Sequence, residues 1–164
     1  MRIRSSLLGA LALAILPPAS FAETGSQGFH QCPDAAMNKI TQEEVAAFLR
    51  DLGYAAEIRQ GQQSRYVKTD ISDLKVAVYF YDCDADGCGA LQLSTGFDKS
   101  PNLTIGLANT WNSQHRYARA YVDPSDGSFF FEYDFVMTGV TKDFLKDNLS
   151  LYQQQLVKLK QQMN

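Results

Sequence analysis

The chain has 164 residues, of which 45% are hydrophobic and 20% charged, with a formal net charge of −3. No block of basic residues interrupts this mildly acidic composition, which is poorly suited to a phosphate backbone and argues against a nucleic-acid partner. Three cysteines and two histidines are too few and too scattered to suggest a metal or cofactor set.

Arg2 and Arg4 precede an apolar run from Leu7 to Leu16 that Pro17-Pro18 ends, and Ser20-Phe21-Ala22 places small residues where a signal peptidase reads them. The run is too short to span roughly 30 Å of hydrocarbon. A cleavable signal peptide is therefore expected over residues 1–22, cut after Ala22, with a periplasmic or secreted product. That product would carry thirteen basic against eighteen acidic side chains, a formal charge of −5. No long apolar run follows, so no membrane insertion is expected after cleavage.

Residues 23–39 carry Gly, Ser, Gln and Pro without periodicity and are expected to form a loose leader to a domain spanning 40–164. Thr41-Gln42-Glu43-Glu44 matches a capping box, and Ile40 can staple onto Val45. Val45, Phe48, Leu49 and Leu52 recur at helical spacing before Gly53 stops the helix. Short strands are predicted near Ala55–Arg59 and Tyr66–Ile71. The strongest alternation follows: Leu74, Val76, Val78 and Phe80 against Lys75, Ala77, Tyr79 and Tyr81, then Leu91, Leu93 and Phe97 against Gln92, Ser94 and Gly96.

Cys83 and Cys88 bracket Asp84-Ala85-Asp86-Gly87, a four-residue hairpin turn. Oxidising compartments form disulfides, and three thiols allow three pairings with one left over. Spacing favours Cys83 with Cys88. Setting these opposite each other also places Phe80 by Leu91 and Val78 by Leu93 on one face, with Tyr79 by Gln92 and Ala77 by Ser94 on the other. A one-residue slip would mix the faces. Cys32 is left free or joined to a second molecule.

A helix is predicted from about Leu103 to His115, opened by Ser100-Pro101 and carrying the only tryptophan, Trp111. A second hairpin joins Tyr117–Asp123 to Ser128–Met137 across Pro124-Ser125-Asp126-Gly127. Last comes a long helix from Lys142 to about Met163, capped by Thr141. The order α-β-β-β-β-α-β-β-α predicts an α+β fold, an antiparallel sheet with helices on one face.

Asp82, Asp84 and Asp86, followed by Gly87, open like a calcium loop, but Leu93 stands where the bidentate Glu belongs. A polar hairpin tip is the favoured reading, with weak cation binding the alternative. His30-Gln31-Cys32 supplies at most two of the three or four ligands zinc needs. No nucleophile elbow or phosphate-cradling glycine loop is present, and no catalytic residues are assigned.

Two surfaces are candidates for recognition. Asn109, Trp111 and Asn112, with Arg116 and Arg119, could form a patch; alternatively Trp111 is core, Asn112 closes the helix end and Arg119 pairs across strands with Glu132. On the last helix, Leu145, Leu149, Tyr152, Leu156, Leu159 and Met163 recur in steps of four and three. The far half, Tyr152, Leu156, Leu159 and Met163, is read either as an association surface or as packed wholly on its own sheet.

Between Thr41 and Tyr152 the chain resembles the YbjN-domain family of bacterial sensory transduction regulators. The resemblance rests on the Tyr81-Asp82-Cys83 to Cys88 hairpin, on Leu91-Gln92-Leu93 running to Gly96-Phe97, and on Asn109-x-Trp111-Asn112. That last motif leads into Arg116-Tyr117-Ala118-Arg119-Ala120-Tyr121 and Asp123; the acidic strand before Gly139-Val140-Thr141 also fits. It implies a fold like that of type III secretion chaperones, an arrangement that often dimerises and binds peptide segments, with no catalytic residues to carry over. The expected function is non-enzymatic binding of a protein or peptide partner, with a homodimer an open alternative. A small-molecule or signal sensor is the runner-up and an enzyme the third reading.

Overall fold

A computed structural model describes residues 35–62 and 64–163. The expected signal peptide, His30 and Cys32 lie outside the described residues. The elements are α1 (Gln42–Asp51), β1 (Ala56–Gln60), β2 (Arg65–Ile71), β3 (Leu74–Asp84), β4 (Gly87–Phe97), α2 (Ile105–Gln114), β5 (Arg119–Val122), β6 (Phe129–Val136) and α3 (Lys142–Met163). The six strands form one antiparallel sheet in the order β1-β2-β3-β4-β6-β5. The fold is the α+β arrangement expected.

The β3–β4 register sets Cys83 opposite Cys88, Phe80 opposite Leu91 and Val78 opposite Leu93. The disulfide joins Cys83 and Cys88. One side of the pleat is therefore apolar: Val67, Val76, Val78, Leu91, Leu93, Phe129 and Phe131 are all buried. All three helices pack on that side. Val45 and Leu49 of α1 and Leu145 and Leu149 of α3 surround the same small gap over Val78, Leu91 and Leu93, while Trp111 of α2 meets Phe131 edge-on. The opposite side carries Tyr79, Tyr81, Gln92, Ser94, Arg119, Tyr121 and Glu132, with no helix over it among the described residues.

The α1 capping box forms as expected, with Thr41 accepting from the Glu44 amide at 3.2 Å while the Glu44 carboxylate accepts from the Thr41 amide at 2.8 Å. Several boundaries differ from expectation, the fifth strand beginning at Arg119 and not at Tyr117. The second helix begins at Ile105, not Leu103, because the Thr104 hydroxyl caps it by accepting from the Leu107 amide at 3.1 Å. The stretch before α1 is anchored from Met37 onward: Met37 exchanges main-chain hydrogen bonds with Val140, and Ile40 with Cys88.

Candidate functional site

The helix-2 motif resolves into structural and exposed residues. Trp111 is fully buried; its indole N–H donates to the Ala118 carbonyl at 2.9 Å, its face stacks on His115 and its edge meets Phe131. Burial of so large a ring makes it a core residue, not a surface anchor. Asn112 does not close its own helix. Its side-chain amide donates to the Ala120 carbonyl and accepts from the Ala120 N–H, both at 2.9 Å, so it acts as a short surrogate strand along β5. Asn109 and Arg116 are exposed and lie on the chain just outside this packing. Neighbouring Tyr117, 64% exposed with φ 76°, is a non-glycine residue in the left-handed region.

Arg119 belongs to a different cluster, on the open side of the sheet. Glu132 on β6 points away from the helices, yet its side chain is only 7% exposed. Its neighbours bury it: Arg119 donates to one carboxylate oxygen at 2.7 Å, and the Tyr121 hydroxyl donates to the other at 3.0 Å. Gln92 donates to Glu132 at 3.3 Å and to Asp134 at 2.7 Å, and the Tyr81 hydroxyl donates to the Gln92 carbonyl at 3.2 Å. The order β4-β6-β5 creates this hub, since Ser94 and Arg119 are the direct cross-strand neighbours of Glu132. Burial, reinforced by the Glu132 charge, pushes the Tyr121 hydroxyl up to about 12. The tyrosine stays protonated far above neutral pH, which suits a hydrogen-bond donor and not a general base.

On the same open side, Tyr66, Tyr79, Tyr81 and Gln92 line a shallow cleft of about 350 Å³. Tyr66 and Tyr79 face each other with ring centres 5.6 Å apart. The hairpin tip is a polar turn. Asp84 accepts from the Asp86 amide at 3.0 Å and from the Lys39 ammonium, and the Lys39 bond holds its carboxyl below the usual carboxylate range. Among the described residues no three His, Cys, Asp or Glu side chains are arranged to hold a metal ion.

The α3 seam lies on its own sheet. Tyr152, Leu156 and Leu159 are fully buried, and the Tyr152 hydroxyl bonds both Thr95 at 3.0 Å and the Phe131 carbonyl at 2.9 Å. The far half of the helix is therefore not an association surface through these side chains; only Met163 is partly exposed. The physical reason is reach, since α3 stays on the sheet to its last turns, where Lys160 still bonds the Ser72 carbonyl at 3.1 Å.

A groove that the sequence did not reveal runs between α1 and the first turns of α3. Met37, Ile40, Ala47, Phe48, Leu52 and Leu145 line a volume of about 460 Å³. Glu44 and Asp51 stand on its α1 wall, and Lys142, Asp143 and Lys146 on its α3 wall. Its floor continues towards the gap beneath Phe48 and Leu145, where Leu149 and Phe135 add apolar surface. Outside the groove lining, Phe144, 45% exposed, meets Phe135 edge-on. No helix of the described residues is long and apolar enough to cross a membrane.

Comparison with known proteins gives one family. The YbjN family model, described as "Putative bacterial sensory transduction regulator", matches residues 41–163, three quarters of the chain and every helix and strand above. No curated protein matches the chain.

Proposed function

The chain belongs to the YbjN family, and from that premise we propose that it is an exported, non-enzymatic regulator domain whose α1–α3 groove captures a segment of a protein partner. The observation that carries the reading is the groove itself: an apolar floor of Phe48, Leu52 and Leu145 between an acidic α1 wall and an α3 wall on which Lys142 and Lys146 outnumber Asp143. Apolar grooves of this kind take amphipathic helices, whose apolar ridge fills the floor. The walls specify the flanks. A matching helix carries basic residues towards Glu44 and Asp51 and acidic residues towards Lys142 and Lys146, an arrangement that favours one orientation.

Two further features support parts of this reading. The Cys83–Cys88 disulfide suits an oxidising compartment, in line with the signal peptide expected over residues 1–22. Among the residues with shifted titration, Tyr121 is moved away from neutral pH, the reverse of what acid–base catalysis requires. The second reading, a small-molecule sensor, rests on the cleft between Tyr66, Tyr79, Tyr81 and Gln92, where aromatic faces and an amide converge.

Photo-crosslinking in intact cells separates the two. A crosslinker at Ala47 should yield a discrete protein adduct that Leu52→Glu abolishes, while one at Asn109 should yield none. Adducts only from Asn109, or a ligand-dependent melting shift abolished by Tyr79→Ala with no adduct at Ala47, would favour the other surfaces.

A further inference from the structure

The sheet has two edges, and they are treated differently. At β5 the Asn112 amide occupies both main-chain groups of Ala120. At β1 no side chain of the described residues occupies both main-chain groups of a strand residue in this way. The Gly61 N–H donates to the Ser64 carbonyl at 2.9 Å, so the pair nearest the β1–β2 turn is hydrogen-bonded. Alternation along an antiparallel ladder then turns the N–H and C=O groups of Ala56, Ile58 and Gln60 away from β2. The Arg50 side chain confirms the direction by donating to the outward Ala56 carbonyl at 3.2 Å. Every residue of β1 is exposed or half-buried. An edge in this state is a template for another strand.

We propose that β1 pairs with β1 of a second copy, antiparallel about a two-fold axis at Ile58. The strand is charge-complementary to itself about that residue. The two-fold places Glu57 opposite Arg59 of the second copy, and Arg59 opposite its Glu57. Both fall at non-hydrogen-bonded positions, where facing side chains come closest. In-register parallel pairing instead sets like charges side by side. Within one chain Glu57 and Arg59 already meet at 2.7 Å, so the ions need only exchange partners. Ile58, half-buried on the helix-bearing side, meets its own counterpart. The outward groups of Ala56, Ile58 and Gln60 supply roughly six main-chain hydrogen bonds, once Arg50 releases Ala56. A contact of this extent sits at the small end of specific interfaces, so the dimer is concentration-dependent.

The proposal is independent of the α1–α3 groove, and its test does not touch that site. The full chain is examined by sedimentation equilibrium from micromolar to roughly millimolar concentration, where small interfaces associate. Wild type should approach twice the monomer mass. Glu57→Arg and Arg59→Glu should each dimerise at least tenfold more weakly, because each opposes like charges. An equimolar mixture of the two should recover a heterodimer, since every facing pair is then opposite in sign, and recovery requires both variants to be folded. A wild type that stays monomeric, a Glu57→Arg variant as dimeric as wild type, or a mixture that stays monomeric would each overturn it.

Discussion

The Asn112 side chain holds the Ala120 backbone on both sides, its amide donating to the carbonyl and accepting from the N–H at 2.9 Å each. A single helix residue thereby occupies the two hydrogen-bonding groups that an edge strand offers. Replacing Asn112 with Ala leaves both unpaired against α2 and should cost about 1–3 kcal/mol. Hydrogen exchange at the Ala120 amide reports it directly: protection should fall in Asn112→Ala while the β3 and β4 amides keep theirs.

Trp111 should behave as a core residue. Trp111→Ala should cost about 3–5 kcal/mol in urea unfolding through lost burial and a cavity beside Phe131. Trp111→Phe keeps most of the apolar volume and should lose less. The indole hydrogen bond to Ala118 accounts for about 1 kcal/mol of its cost.

Much of this arrangement is legible in the sequence. Alternation in β3 and β4, together with the cysteine spacing, yields the observed register, because a one-residue slip would have put Leu91 and Leu93 on the open side. The Arg119–Glu132 pair is legible for the same reason. The rest of the hub is not. Gln92 and Ser94 reach Glu132 only because β4 lies beside β6, a long-range neighbour relation that no local pattern encodes. The sequence sets the start of α2 too early because Pro101 looks like a first helical residue, while Thr104 supplies the actual cap. The stripe on α3 identified buried residues correctly but not what buries them, since a helix seam looks alike on a sheet and on a partner. The groove escaped because its walls come from helices a hundred residues apart.

The Glu132 hub should respond unequally to loss of its two charges. Arg119 is 60% exposed and Glu132 buried, so removing the arginine leaves a buried carboxylate with neutral donors only, whereas removing the carboxylate returns the arginine to water. Arg119→Ala should therefore destabilise more than Glu132→Gln, by about 1 kcal/mol. Urea unfolding of the two single variants measures the difference, and equal losses would contradict the asymmetry.

Stability should fall in alkali. Burial raises the hydroxyls of Tyr79, Tyr81, Tyr121 and Tyr133 above their value of 10 in an unfolded chain, Tyr121 to about 12. A group whose folded value is raised contributes stability fully below the unfolded value and loses it as the pH climbs through the folded one. Unfolding free energy should therefore be flat up to about pH 9 and decline between about pH 10 and 12. Tyr121→Phe should start lower, having lost its bond to Glu132, and decline less steeply.

Reduction should loosen the hairpin without unfolding the domain. The Cys83–Cys88 loop is short, so the chain-entropy account assigns its disulfide only about 2 kcal/mol. Cys83→Ser/Cys88→Ser should lower the melting temperature by several degrees and leave the far-UV spectrum unchanged.

The most direct measurement of the central claim is titration of the full chain with a synthetic peptide. The peptide is the segment recovered from the adduct at Ala47, and binding is followed by calorimetry. The account predicts that wild type binds, that Phe48→Asp abolishes binding, and that Lys142→Glu/Lys146→Glu weakens it at least tenfold. It also predicts partial recovery when the facing acidic residues of the peptide are changed to lysine. Binding unchanged by Phe48→Asp, or by reversal of the α3 wall, would contradict a partner seated between α1 and α3.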